Sequence, residues 1–221
     1  MGGQWLGMAA IAAWLGLLAL TALWVRRTWS GQREWSRKLV HIGAGAVVPL
    51  AWWFEIRAGI AIPAAGMVTL LAALNHRVRV LPAIEDIDRQ SYGTVAYGAS
   101  ITTLLLLYWP SQPSSVAAGV MVMACGDGLA GLVGPAVPSF SWTLWKQRKS
   151  LAGTLAMAAA SLVVLLGLRV LALDQGLPAP SLPALLAITA AAVGLEQVAV
   201  LGVDNFTVPV AVGCLWSSLA H

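Results

Sequence analysis

Asp127 lies within ACGDGLAGLVG (124–134), in a run of small and apolar residues. A carboxylate at the centre of a lipid-spanning helix costs roughly 2.5 to 3.5 kcal/mol on the translocon scale, so a residue of this kind is placed for a reason. Other ionisable and hydroxyl groups recur at comparable positions. SRKLVHIGAG carries Arg37, Lys38 and His41; RQSYGTVAYG carries Arg89, Ser91, Tyr92 and Gly93; KQRKSLAGT carries Lys146, Lys149 and Ser150; and EQVAVLGVDN carries Glu196, Asp204 and Asn205. Basic groups and backbone N–H donors hold phosphate oxygens, glycines let the chain come close, and carboxylates hold Mg²⁺ or take a proton. Such a set suits a metal-bound polyphosphate supplied from water, beside a second reactant that can reach the site from the bilayer.

The elements that must position these groups follow from composition. Of 221 residues, 59% are hydrophobic and only 10% charged, with a mean hydropathy of +0.79, against roughly 25% charged in an ordinary soluble domain. A crossing helix needs about 20 apolar residues, and the chain supplies such runs at 5–25, 39–54, 58–74, 93–109, 115–134, 151–173, 184–203 and a shorter 206–220. The expected fold is all-α: a polytopic bundle of about seven or eight transmembrane helices forming a single domain over 1–221, with 1–30 as an N-terminal anchor helix. That first run has its basic cluster after it and no small-residue cleavage site, the reverse of a secretory signal.

Alternating the runs sends Arg26, Arg27, Arg33, Arg37, Lys38, Arg77, Arg79, Arg89, Lys146, Arg148 and Lys149 to one side and leaves Arg57 and Arg169 for the other. By the positive-inside rule the crowded side is cytoplasmic and the N-terminus is outside. All the candidate groups above then fall near the cytoplasmic leaflet. The net charge of +4 is thereby accounted for by topology, and no basic face with a soluble fold behind it suggests a nucleic-acid partner. Cys125 and Cys214 sit in apolar runs without CxxC spacing and read as core.

Structural readings stand beside the chemical ones. Lys146, Arg148 and Lys149, with Trp142 and Trp145, also fit an interfacial loop. His41 also fits a hydrogen-bonded interface residue, and Asp127 and Glu196 also fit buried ion pairs that hold helices together. Residues 126–131 spell GxGxxG, but that pattern is informative only between a strand and a helix of a β/α unit, and Lys149-Ser150 lacks the framing of a P-loop.

RKLVHIGAG (37–45), RQSYGTVAYG (89–98), GDGLAGLVG (126–134), KSLAGTLA (149–156) and EQVAVLGVDNFTVPV (196–210), taken together and in this order, resemble the phytol kinase branch of the CTP-dependent polyprenol kinases, relatives of the dolichol kinases. The resemblance spans 33–210. It implies a multi-pass enzyme of the plasma membrane or thylakoid, its active site facing the cytoplasm, that moves the γ-phosphoryl group of CTP onto phytol or a related prenol such as geranylgeraniol or farnesol. The product would feed phytol salvage or tocopherol biosynthesis.

Carried over by position, Asp127, Lys149, Glu196, Asp204 and His41 would be catalytic, with Asp127 and Asp204 on Mg²⁺. Arg37, Lys38, Gly126, Gly131, Gly134, Lys146, Ser150, Gly153 and Asn205 would meet the nucleotide, and Arg89, Ser91, Tyr92 and Gly93 the alcohol. The chain departs from the family pattern after Gly134, where PAVPSFSWTLW replaces a basic Phe-Gly turn. Two alternatives stay open: a CDP-lipid-forming cytidylyltransferase, whose usual His-Gly-Gly and Asp-Arg endings are not found here, and a membrane transporter, for which intramembrane acids are also expected.

Overall fold

A computed structural model describes residues 2–28, 33–78, 92–145 and 147–221, without the side chains of Arg33, His76 and Val78. Its helices are α1 (Gly2–Thr28), α2 (Arg33–Gly45), α3 (Val47–Trp53), α4 (Ala58–Val78), α5 (Gly93–Tyr108), α6 (Pro113–Met121), α7 (Gly128–Ala136), α8 (Leu151–Asp174), α9 (Leu182–Val198) and α10 (Asp204–Leu219). One turn of π-helix, Val122–Asp127, joins α6 to α7. The structure is thus the all-α membrane bundle expected. Four helical stretches are long and apolar enough to cross a bilayer: Gly2–Thr28, Ala58–Asn75, Pro113–Ala136 and Leu151–Asp174. Gly93–Tyr108 and Leu182–Val198 are shorter apolar helices.

Each expected apolar run coincides with one of these helices or with a joined pair. The run at 39–54 is split at Ala46 into α2 and α3, and the run at 115–134 is interrupted by the π turn. Helices are the answer because hydrocarbon offers the backbone no partners, so every N–H and C=O must be satisfied within its own segment. Outward-facing Leu, Val and Met on α1, α4 and α8 stay exposed, as a lipid-facing surface requires.

The buried axis is the composite helix from α6 to α7. Val116, Ala117, Ala118, Val120, Val122, Met123 and Ala124 are fully buried, packed among α2, α5, α8 and α10. Where α10 crosses α6, a Cβ on Gly119 would collide with the Pro209 carbonyl and Leu104, so hydrogen is the side chain that lets these helices meet.

A feature absent from the sequence reading lies between α7 and α8. Strands β1 (Ser141–Leu144) and β2 (Gln147–Ser150) pair antiparallel, Trp142 opposite Lys149. The segment expected to be an interfacial loop is this hairpin, and its strand β2 runs directly into α8. Ser150 ends the strand and caps the helix, its Oγ accepting from the Gly153 N–H at 3.2 Å.

Candidate active site

The π turn places Asp127. A π turn takes one more residue per hydrogen-bonded ring than an α-helix, and such turns concentrate at functional sites. Here two of its residues meet side chains from α2: His41 Nε2 lies 3.3 Å from the Met123 carbonyl, and Lys38 Nζ donates to the Asp127 carbonyl at 3.1 Å. Lys38 also donates to Asp127 Oδ2 at 2.7 Å, while His41 Nε2 lies 3.4 Å from the same oxygen. Lys38, His41 and Asp127 are all largely shielded from solvent. The one-turn spacing from Lys38 to His41 puts both on the face of α2 that meets the central helix.

A second pair mirrors the first. Lys149, projected from the end of β2, donates to Glu196 Oε1 at 2.6 Å and to the Glu196 carbonyl at 2.9 Å. In both pairs one ammonium is docked on the carboxylate and the backbone carbonyl of a single residue. Glu196 is only 8% exposed, and its other carboxylate oxygen, Oε2, is buried and has no hydrogen-bond partner among the described residues.

Asp204, in the first turn of α10, joins the two pairs. Carboxylate oxygens of Asp127, Glu196 and Asp204 lie within 4.8 Å of one another. Among the described residues no hydrogen bond or ion pair is made by the Asp204 carboxylate. With all five groups ionised, two ammoniums face three carboxylates, and the cluster carries one negative charge in excess. An unpaired carboxylate beside two others is costly, and a bound cation would offset that cost. The three carboxylates could hold a divalent cation, since hard cations take carboxylate oxygens.

The α9–α10 turn is hydrogen-bonded to the segment expected to meet the alcohol. Leu201 and Gly202 take positive φ, 56° and 82°, and the Tyr92 N–H donates to the Leu201 carbonyl at 3.2 Å. Tyr92, itself exposed, and Gly93 at the start of α5 are thereby tied to the turn that leads from Leu201 into Asp204. Asn205 closes the same turn, Nδ2 donating to the Gly202 carbonyl at 3.4 Å. Arg89, Ser91 and Lys146 lie outside the described residues.

Other expected nucleotide contacts have intramolecular work. Arg37 pairs with Glu34 at 2.7 Å, one turn away on α2. A Cβ on Gly126 would press on Ser161 and Met157 of α8, and one on Gly131 would meet Cε and Nζ of Lys38. Gly134 and Gly153 face one another across α7 and α8: a Cβ on Gly153 would stand 3.1 Å from the Ala130 carbonyl and 3.3 Å from the Gly134 Cα. These glycines bring helices close, and Gly131 leaves the space in which the Lys38 stem lies.

Two groups near the cluster escaped the sequence reading. Tyr97 on α5 packs its ring on His41, centroids 4.6 Å apart, with a buried hydroxyl that has no partner among the described residues. Gln197 donates from Nε2 to Thr154 Oγ1 at 3.1 Å and buries an unpartnered Oε1. A tyrosine or glutamine within an apolar helix is the signal that was present for both.

Comparison with known proteins bears on this geometry. The chain is 37% identical over 206 residues to a phytol kinase of Synechocystis sp., covering 93% of this chain and 88% of that one. It belongs to the phytol kinase family. Over 60% of its length it is also 28% identical to a probable chloroplastic phytol kinase 3 of Glycine max, and over 56% it is 31% identical to a chloroplastic farnesol kinase of Arabidopsis thaliana, covering 44% of each. No family model matches, and no solved structure matches. Within the family's chain, the polar cluster draws on α2, the π turn, β2, α9 and α10, segments spread over most of the matched length.

Proposed function

We propose that this protein is a membrane-embedded prenol kinase, transferring the γ-phosphoryl group of CTP to the hydroxyl of phytol or a related prenol such as geranylgeraniol or farnesol. The observation that carries the reading is the convergence of Lys38, Asp127, Lys149, Glu196 and Asp204 in one cluster of a chain whose relatives are named phytol and farnesol kinases. On this reading the cluster opens to the cytoplasm, where the nucleotide is found, and the product supplies prenyl phosphate for phytol salvage or tocopherol formation.

Phosphoryl transfer is chiefly positioning and electrostatic stabilisation. Lys38 and Lys149 offer two ammoniums to the phosphate oxygens. Glu196 or Asp204 accepts the proton of the alcohol as its oxygen attacks, and His41, held by the Met123 carbonyl, orients Asp127. Tyr92, hydrogen-bonded to Leu201, and Leu201 and Val203 of the turn before Asp204 are exposed, and on this reading a prenyl tail reaches the cluster along them from the bilayer.

The residues fit Mg²⁺: three carboxylates converge, and Glu196 Oε2 is buried without a partner. Asp127 and Asp204 would hold the ion, which when bound neutralises charge on the triphosphate. The test is an alcohol-by-nucleotide screen on purified protein with γ-labelled nucleotides. Label on a prenyl monophosphate, greatest with CTP, is expected. Label released as pyrophosphate would assign a cytidylyltransferase instead, and nucleotide-independent solute uptake into vesicles a transporter.

A further inference from the structure

Lys38 and Lys149 are needed in two places at once. In the protein alone each ammonium is bound to a carboxylate and to the carbonyl of the same residue, Asp127 or Glu196. In a kinase those same ammoniums belong on phosphate. We propose that the two lysines are resident counter-ions that exchange partners: a divalent cation displaces them from a three-carboxylate site made of Asp127, Glu196 and Asp204, and the freed ammoniums then engage the triphosphate. This rests on the kinase reading and widens its metal site to include Glu196, with one oxygen of Glu196 or Asp204 on the cation and the other left to accept the alcohol proton.

Three observations converge on the exchange. The cluster has one carboxylate more than it has ammoniums, and that carboxylate, Asp204, is without a partner among the described residues. Glu196, 8% exposed, groups its carboxylate with those of Asp127 and Asp204, and one of its oxygens, Oε2, is buried without a partner among the described residues although Lys149 holds the other. Lysine suits a movable counter-ion, a point charge on a flexible four-carbon stem. The Lys38 stem packs directly on Gly131, where a Cβ would meet its Cε and Nζ, so the glycine is what lets this ammonium reach the cluster.

The consequence is an inversion of sign. Removing a lysine's charge strengthens metal binding in the absence of nucleotide, because the competitor is gone, yet weakens nucleotide binding, because the phosphate partner is gone. If the lysines were instead static braces, their loss would weaken both.

Mn²⁺ alone, titrated against the full-length protein in nanodiscs and followed by electron paramagnetic resonance, tests this. Lys38→Met and Lys149→Met are each expected to bind Mn²⁺ about tenfold more tightly than the wild type and to bind CTP more weakly. Asp204→Asn, which touches neither ion pair, is expected to weaken Mn²⁺ binding by a similar factor. Unchanged or weaker Mn²⁺ binding in both lysine variants overturns the exchange. Should those variants not fold, the wild type suffices: amine-reactive labelling of Lys38 and Lys149, read by mass spectrometry, is expected to rise with Mn²⁺ and fall again when a non-hydrolysable CTP analogue is added. Labelling that does not respond to Mn²⁺ overturns it equally. Absence of prenyl phosphate in the activity screen would reject the kinase reading while leaving the Mn²⁺ competition to be judged by itself.

Discussion

The two ends of the bundle solve the problem of buried polarity differently. At the end where α6 begins and α10 finishes, the polar contacts are between neutral side chains or from side chains to backbone. Trp216 Nε1 donates to Ser114 Oγ at 3.2 Å, Trp109 Nε1 to the Ile56 carbonyl at 2.8 Å, and Gln112 Oε1 accepts from Ser115 and Ser217. Gln4 ties α1 to the turn before α4, and Arg169 reaches the Pro180 carbonyl. At the other end, some fifteen residues or about 22 Å along the central helix, Lys38 and Lys149 face the three carboxyl groups of Asp127, Glu196 and Asp204. Neutral side chains and backbone carbonyls, one of them holding the Arg169 guanidinium, are enough to fasten helices. Acidic groups that outnumber their cations at depth cost stability unless a ligand offsets them, so the contrast makes the charged end the candidate site without reference to any relative.

The sharpest way to break this contrast is Asp127→Asn. The amide keeps size and shape but removes the charge shared by Lys38 and the proposed metal. Prenol phosphorylation is expected to fall by about a hundredfold or more, as when a group acting on developing charge is lost, with the protein still folded and helical by circular dichroism. Near-normal turnover would return Asp127 to a bracing role and make the two ends equivalent. A smaller effect of mixed kind is expected of Gly153→Leu. Its side chain has to displace α7 from α8 at the Gly134 contact, moving Ser150 and the Lys149 strand with it. A stability loss of roughly 1 to 3 kcal/mol together with reduced activity, both measurable on detergent-solubilised protein, would show the glycine seam supporting the charged end. An active, stable variant would show that the seam is dispensable.

The helices were legible because apolar runs of crossing length leave the backbone no other choice, and the one-sided charge followed from the loops between them. Lys38, His41, Asp127, Lys149, Glu196 and Asp204 could each be named from their types. Their pairing could not: Lys38 and Asp127 are 89 residues apart, and nothing local distinguishes Lys38 from Arg37, which turns instead to Glu34. The π turn was equally hidden, since VMACGD has the composition of ordinary membrane helix and only its neighbours' side chains show that its carbonyls are used. The hairpin was missed because SWTL and QRKS are too short to show alternation. The glycines of GDGLAGLVG carry two meanings in sequence, close approach of a phosphate or of a helix, and the packing of Ser161, Lys38 and Gly153 onto them supplies the second.

The mildest change probes the fastening end. Trp216 is fully buried, and its indole N–H donates to Ser114 at the start of α6, joining α10 to the central helix. Trp216→Phe keeps aromatic bulk and removes that donor, leaving the Ser114 hydroxyl free to turn toward another acceptor. A single neutral hydrogen bond contributes about 1 kcal/mol, so the transition in a denaturant titration should move by about that much. Turnover at saturating CTP and prenol should stay at the wild-type value, because no charge has changed and the cluster lies at the far end of both helices. If Trp216→Phe instead lowered activity as much as Asp127→Asn, the two ends would be energetically coupled through α6 and α10, and the division between a neutral fastening end and a charged working end would have to be given up.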